Sequence, residues 1–217
     1  MTLHGAPFPR PGGLEITERA LRFCRFPSRS RLADIGCGRG ETIRHILKNH
    51  DFHILGIDKD EALIGELLSE DEGFPVMTGD ALRLPFPDDG LDGLLYECSF
   101  SKMESPSGVL EEAFRVLKGG GFLIVSDFYA AGEERTFSGI LGRVERKEAL
   151  IARMEKAGFA LDFFEDFSAG LPGLWGQMVL DNGLERLREL IGVGGPLCDV
   201  RCRYGLFVGR KPEADAL

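Results

Sequence analysis

The sequence predicts an α/β sandwich of three layers, in which a mostly parallel sheet lies between two layers of helices. Strand-like apolar segments alternate with segments of helical period from residue 14 to about residue 127, and this alternation is typical of a parallel sheet. A glycine-rich segment at residues 36–40 directly follows the first strand. The chain has 217 residues, of which 43% are hydrophobic, and this suits one domain with a buried core.

The first half of the chain contains five predicted strands separated by helices. The strands are Arg31–Ile35, His53–Asp58, Pro75–Thr78, Leu91–Tyr96 and Phe122–Asp127. The helices are Leu14–Phe26, Glu41–Lys48, a segment that begins near Asp60, and Gly108–Leu117. We expect the last of these helices to end at the glycine run 119–121, because glycine commonly follows a helix C-terminus.

The second half shows a weaker pattern. Its predicted elements are a loop or short helix at residues 128–145, a helix at Arg146–Ala157, a strand at Ala160–Asp166, helical residues Leu174–Ile191 with a break near Asn182-Gly183, and a last strand at Tyr204–Val208. We expect a single domain over residues 1–217. Residues 1–29 form its N-terminal helical cap, and residues 167–203 form an insertion.

Charge and cysteine content restrict the expected partners and location. The formal net charge of -9 repels phosphate backbones, so nucleic acid is a poor candidate partner. No apolar run approaches the roughly 20 residues of a membrane span, and residues 1–13 lack the apolar core of a signal peptide. The five cysteines are irregularly spaced and do not resemble a disulfide framework, so we expect a cytoplasmic protein. The oligomeric state stays open between monomer and homodimer.

The glycine-rich segment and its neighbouring acids form the sharpest motif. Gly36, Gly38 and Gly40 lie between a strand and a helix, where glycine lets the backbone approach a ligand closely. Asp58 ends the second strand, where a carboxylate binds a ribose diol. The dinucleotide fingerprint requires glycine at position 41, which is Glu41 here. Asp34 would repel a pyrophosphate and suits an ammonium or sulfonium ion instead.

Five segments in order resemble the motifs of class I S-adenosylmethionine-dependent methyltransferases. They are Asp34–Gly40, His53–Asp58, Gly79-Asp80-Ala81, Asp92–Cys98 and the turn from Arg115 to Gly121. The resemblance is closest to the small-molecule branch that includes ubiquinone/menaquinone methyltransferases. It implies a Rossmann-like, seven-stranded sheet that is mostly parallel with an antiparallel last strand, and a cofactor-binding core at residues 30–130.

The resemblance also implies roles for individual residues around S-adenosyl-L-methionine. Asp34 and the loop residues Gly36, Cys37, Gly38 and Gly40 would hold the methionine portion. Asp58 would bind the ribose hydroxyls, with Lys59 beside the adenine. Gly79, Asp80 and Ala81 would contact the adenine, while Tyr96, Glu97 and Cys98 would pass beside the sulfonium.

The predicted reaction is methyl transfer to a small-molecule acceptor by in-line displacement. Because the cofactor carries the activated methyl group, the protein mainly has to position the nucleophile. The candidates for a general base or a hydrogen-bonding group are Glu97, Asp127 and Tyr129. The insertion at residues 167–203 is expected to cover the acceptor pocket. Alternatives are a macromolecular methyltransferase acting on protein or RNA, and a non-catalytic cofactor-binding sensor.

The cysteines and histidines support one further hypothesis and one negative expectation. Cys98, Cys198 and Cys202 would hold a thiol-bound metalloid such as trivalent arsenic if they converge near the methyl donor. The histidines, His45, His50 and His53 among them, show no ligand spacing, so we interpret them as surface or structural residues and expect no metal site.

Overall fold

A computed structural model describes residues 10–192 and 197–213. Its elements in chain order are α1 (Gly13–Cys24), β1 (Arg31–Ile35), α2 (Glu41–Asn49), β2 (His53–Asp58), α3 (Glu61–Glu70), β3 (Val76–Thr78), β4 (Leu91–Glu97), α4 (Pro106–Val116), β5 (Leu117–Ala130), β6 (Arg135–Thr136), β7 (Arg143–Val144), α5 (Lys147–Lys156), β8 (Ala160–Asp166), α6 (Leu171–Asn182), α7 (Leu184–Ile191), α8 (Leu197–Val200) and β9 (Cys202–Arg210). Short 3₁₀ turns at Phe100–Lys102 and Ser168–Gly170 complete the elements.

Seven strands form one sheet in the order β3-β2-β1-β4-β5-β9-β8. The first five strands are parallel, and β9 runs antiparallel to both β5 and β8. The predicted mostly parallel sheet with an antiparallel last strand is therefore confirmed. Strand β8 points the same way as β5, so both lead into the same edge of the sheet. Between β1 and β4 the order of connections reverses, and ligands bind at such a switch point in open α/β sheets.

Helices cover both faces of the sheet and give the three predicted layers. One face packs against α1, α2 and α3 through residues such as Ile16, Ile43 and Leu67, and the insertion helices α6 and α7 belong to the same cluster. The other face packs against α4 and α5 through residues such as Leu110 and Met154. Alternate residues of each strand serve the two cores, as expected for a sheet buried on both faces.

The structure changes two boundaries that the sequence predicted. Helix α4 ends where Leu117 adopts extended backbone, so the glycine run 119–121 lies within β5 and does not cap the helix. The N–H of Gly120 donates to the carbonyl of Lys211, which ties this run to the chain after β9. Strand β5 also continues beyond Asp127 to Ala130, because β9 pairs with it as far as Cys202.

For the second half, the structure confirms the break in the helical segment and corrects the prediction for residues 128–145. The break in the long helical segment falls at Gly183, which has φ of 82° and separates α6 from α7. Residues 128–145, predicted as loop or short helix, contain the end of β5 and a small hairpin of β6 and β7. In the described part of the chain, no helix is both long enough and apolar enough to cross a membrane.

Candidate functional site

A cavity of about 280 Å³ opens at the carboxyl ends of β1 and β4, at the switch point of the sheet. Its floor is the glycine loop between β1 and α2, and its far wall is the segment before β7. The lining residues are Arg10, Asp34, Gly36, Cys37, Gly38, Arg39, Glu41, Thr42, Leu63, Glu97, Cys98, Lys102, Ser138, Gly139 and Ile140. The residues at the ends of β1 and β4 that were predicted to lie near the methionine portion and the sulfonium of the cofactor thus line the same cavity.

The glycine loop adopts a shape that other residues would disturb. Gly36 has φ of 73°, and a Cβ there would lie 2.6 Å from the Cβ of Ser99. Gly40 has φ of 71° as the residue before α2, and a Cβ there would lie 2.6 Å from the ring of Phe74. Glycine therefore keeps this loop close to β4 and leaves the N-terminus of α2 facing the cavity, where its free N–H groups favour an anion such as a carboxylate.

Asp34 is a buried carboxyl group on the cavity wall, with 3% of its surface exposed. No residue in the two described ranges donates a hydrogen bond to its side chain. Burial, followed by the nearby carboxylate of Glu97, raises the pKa of Asp34 well above its usual range. A buried carboxylate of this kind is stabilised by a cation, so Asp34 can hold an ammonium group in the cavity.

Asp58 connects the end of β2 to the glycine loop. One carboxylate oxygen accepts the N–H of Gly38 at 2.9 Å, and the other accepts the N–H of Asp60 at 3.0 Å. A carboxylate has about four acceptor positions, so each oxygen retains capacity for one more donor. Asp58 can therefore accept the hydrogen bonds of a vicinal diol while it also fixes the loop.

The predicted adenine-side residues lie outside the cavity wall. Asp80 is exposed after β3 and accepts the N–H of Leu82 at 2.9 Å, and Ala81 beside it is buried. Lys59 is exposed, with its Nζ 3.7 Å from the carboxylate of Glu104. Gly79 donates its N–H to the carbonyl of Asp58, so the ends of β2 and β3 are adjacent. These residues follow neighbouring strands on the same sheet edge, and they form an open extension of the site.

Glu97 lies at the centre of a polar network that the sequence did not predict. Its side chain is 4% exposed; one oxygen pairs with Arg10 and accepts the hydroxyl of Thr42, and the other accepts Thr17 at 2.8 Å. With both oxygens occupied by these partners, the geometry argues against Glu97 as a general base. The sequence signal that was available is Thr17, a polar residue within the apolar stripe of α1.

Removal of this carboxylate is expected to destabilise the fold. In Glu97→Ala, the guanidinium of Arg10, 11% exposed, would lose its partner, and an uncompensated buried charge costs about 3 kcal/mol or more. The free energy of unfolding in urea measures the effect. The control is Glu165→Ala, whose pair with Arg19 is about 40% exposed and is worth less than about 1 kcal/mol. Equal effects of the two variants would contradict the buried pair.

Three other predicted side chains do not face the cavity. Tyr96 is fully buried on the opposite face of the sheet, where it packs edge-on to Phe100, so its side chain does not reach the cavity and only its backbone could pass beside the cofactor. Asp127 is buried and accepts the N–H groups of Ser101 and Phe128. Its carboxylate thereby holds the 3₁₀ turn after β4, a structural contact in place of the predicted catalytic one.

Tyr129 is engaged away from the cavity as well. Its hydroxyl donates to Asp166 at the end of β8, and its ring packs on Phe164 and Phe207. Burial, together with Asp166, raises the pKa of Tyr129 to about 12, so the phenol stays protonated at neutral pH. The geometry therefore does not support Tyr129 as a general base.

The predicted thiol cluster does not form among the described residues. Cys98 contacts the hydroxyl of Tyr204 at 2.9 Å, Cys198 is exposed beside Asp199, and Cys202 lies on β9. The described residues contain no grouping of three thiols close enough to hold one atom. Burial raises the pKa of both Cys98 and Cys202 to about 12, which disfavours the thiolates that a metalloid requires.

The insertion reaches the cavity indirectly, through its second long helix. The N–H groups of Gly139 and Ile140 donate to the carbonyls of Ile191 and Leu190 at 3.1 and 2.8 Å, which caps the end of α7. A Cβ on Gly139 would lie 1.9 Å from the carbonyl oxygen of Leu190. The cavity wall is therefore fixed by the last turn of α7, and glycine allows this close approach.

Comparison with known proteins gives one matching family model, described as a methyltransferase domain, over residues 33–125. A sterol 24-C-methyltransferase of Gibberella zeae is 32% identical over 104 residues, which cover 45% of this chain and 27% of that protein. A phosphoethanolamine N-methyltransferase of Triticum aestivum is 23% identical over 128 residues, covering 57% and 25% respectively. The chain aligns with about half or less of the length of such curated relatives.

Solved structures share the fold over nearly the whole chain. The [4+2]-cyclase SpnF has a TM-score of 0.71 at 24% identity and covers 92% of this chain and 81% of its own. Phosphoethanolamine N-methyltransferase 2 of Haemonchus contortus, bound to phosphomonomethylethanolamine and S-adenosylhomocysteine, has a TM-score of 0.72 at 18% identity, with 96% and 55% covered. The cavity wall at residues 138–140 lies beyond the segment that the family model matches.

Proposed function

We propose that this chain, whose core is a class I S-adenosylmethionine-dependent methyltransferase domain, transfers the methyl group of that cofactor to a small-molecule acceptor. The observation that carries the proposal is the buried Asp34, which has no hydrogen-bond donor within the described residues and lies beside the glycine loop. A dinucleotide would bring a pyrophosphate to this point, and its negative charge would further disfavour ionisation of Asp34 instead of pairing with it. A methionine moiety brings an ammonium group to the carboxylate and its own carboxylate to the helix N-terminus.

The residues of the site divide between the parts of the cofactor. Asp34 would bind the ammonium group, and the N–H groups at the start of α2 would bind the carboxylate. Asp58 would accept both ribose hydroxyls, and Asp80 would accept the adenine amino group. When bound, the cofactor supplies an activated methyl group on a sulfonium ion. The protein's part is to orient that group toward the acceptor and to exclude water.

Two observations favour a small acceptor over a macromolecule. The space beside the glycine loop is bounded on its outer side by residues 138–140, which hydrogen bonds to α7 hold in place. The net charge of -9 opposes nucleic acid. We infer in-line displacement at the methyl carbon, with the acceptor held on the Ser138–Ile140 side.

The acceptor itself is proposed only as a class. The ubiquinone/menaquinone branch remains a prediction, and relatives whose names specify sterols and phosphoethanolamine widen the set to be tested. A cytoplasmic, reducing location also remains a prediction, consistent with five free cysteines. A second function class stays open from the sequence: binding of the cofactor by a non-catalytic sensor, because one fold can host several functions.

The experiment separates these functions in two stages. Calorimetric titration of the purified chain with S-adenosylmethionine, and separately with NAD, tests the cofactor. We expect binding of the first only. Incubation with radiolabelled methyl donor and a panel of quinols, sterols and phosphoethanolamine then tests transfer, with S-adenosylhomocysteine measured as the product. Preference for NAD would contradict the cofactor assignment, and binding without transfer to any acceptor of the panel would favour the macromolecular or sensor alternative.

A further inference from the structure

Three side chains at the interface of α1 and α2 converge on one point, remote from the cavity. Glu18 Oε1 lies 2.6 Å from Nε2 of His45 and 2.6 Å from Nε2 of His50. Within residues 10–192 and 197–213, this is the one group of three acidic, histidine or cysteine side chains close enough to share an ion. His45 and His50, which the sequence analysis interpreted as surface or structural residues, therefore converge on one carboxylate.

The convergence depends on the way that α2 ends. His45 is on the helix, and His50 is the residue after its last turn, with an extended backbone at φ of -133° and ψ of 152°. This change of direction turns the two rings toward one carboxylate, although a spacing of five residues would separate them on a continuous helix. Phe52 stacks on the ring of His50 at 5.1 Å between centroids and 8° between planes, which fixes the orientation of that ring.

The donor set suits a divalent transition metal ion. Two imidazole nitrogens and one carboxylate oxygen are ligands that Zn²⁺ accepts, with water in the fourth position. A tetrahedral ion with bonds of about 2 Å separates its ligand atoms by roughly 3.3 Å, so each contact would widen by under 1 Å. The side chains of Glu18, His45 and His50 are 30%, 17% and 23% exposed, so an ion can enter while the ligands stay held.

We propose that Glu18, His45 and His50 form a binding site for a divalent transition metal ion that clamps α1 onto α2. His45 lies about 7 Å and His50 about 15 Å along the axis of α2 from Gly40, the last residue of the glycine loop. Thr17 directly precedes Glu18 in α1, and its hydroxyl donates to Glu97 in the cavity wall. Metal binding would therefore hold α1 in the position that this contact requires.

The test uses Zn²⁺ and the full chain, whose four histidines can be assigned one by one. Calorimetry compares the wild type with Glu18→Gln, His45→Gln and His50→Gln. The controls are His53→Gln, at the exposed start of β2, and His4→Gln. We expect one ion per chain, at least about 10-fold weaker binding in each of the three ligand variants, and unchanged affinity in both controls. Thermal unfolding of the wild type should shift upward with Zn²⁺ and return with a chelator.

A second probe keeps the result decisive if a variant unfolds. The absorption spectrum of Co²⁺ in the wild type reports the ligand type, because thiolate ligands add charge-transfer bands that nitrogen and oxygen ligands lack. A spectrum without thiolate bands, lost in Glu18→Gln, supports the site. Binding that is unchanged in the ligand variants, thiolate bands in Co²⁺ spectra, or no stoichiometric binding by the wild type would overturn it. The three side chains would then form only a hydrogen-bonded cluster.

Discussion

Asp58→Ala is expected to weaken S-adenosylmethionine binding by about 100-fold or more. Asp58 would accept two ribose hydroxyls, and hydrogen bonds to a charged group contribute about 1.5–3 kcal/mol each. The substitution also removes the acceptor of the Gly38 N–H, so the loop under the methionine moiety loses its link to β2. Calorimetric titration with S-adenosylmethionine measures the change in Kd.

Asp60→Ala is the matched control, because it removes a carboxylate two residues away that serves a different purpose. Asp60 caps α3 by accepting the N–H of Leu63 at 3.1 Å. Its loss should cost about 1 kcal/mol of stability and leave cofactor affinity nearly unchanged. If Asp58→Ala bound the cofactor as tightly as Asp60→Ala does, the assignment of Asp58 to the ribose would be wrong.

Asp34→Asn is expected to reduce cofactor affinity by roughly 10- to 100-fold and to abolish a pH dependence of the wild type. Burial, and then the Glu97 carboxylate, raises the pKa of Asp34 to about 8. The ammonium group of the cofactor binds the ionised carboxylate. Below that pKa, binding must therefore release a proton, and the apparent affinity rises by up to about tenfold per pH unit until the pKa is reached.

Titrations between pH 6 and 9 in buffers of different ionisation enthalpy measure both the affinity and the proton released. The pH dependence of folding stability has the opposite sign to that of cofactor affinity. The folded state holds the Asp34 proton more tightly than the unfolded state, so the stability that this group contributes at low pH is lost as the pH rises through the folded pKa. Asn cannot ionise, so Asp34→Asn should be at least as stable as the wild type near pH 8. A pH-independent wild type would contradict the raised pKa of Asp34, and unchanged cofactor affinity in Asp34→Asn would refute its role.

The sheet and the glycine loop were predictable because their causes are local. The hydrophobic periodicity that distinguishes strands from helices is visible within short segments of the sequence. The spacing of the glycines likewise predicts a loop, and this loop has positive φ at Gly36 and Gly40. The same rules show that the side chains of Tyr96 and Glu97 cannot both reach the cavity, because neighbouring residues of a strand face opposite sides of the sheet.

The boundary of β5 was less predictable, because its cause is a distant strand. A glycine run after a helix is locally typical of a C-cap. Here Gly120 instead pairs with Lys211, and Phe128–Ala130 continue as strand because β9 lies beside them. Pairing with residues some 70 to 90 positions later in the chain therefore overrides the local preference.

The sequence by itself determined the fold class and the acids at or just after the ends of β1, β2 and β3, which lie along one edge of the sheet. Only the tertiary structure decided which polar groups meet: Glu97 with Arg10, the cavity wall with the end of α7, and Glu18 with His45 and His50. The physical reason is that periodicity specifies which face of an element is buried. The partner that each buried group meets is set by packing between elements far apart in the chain.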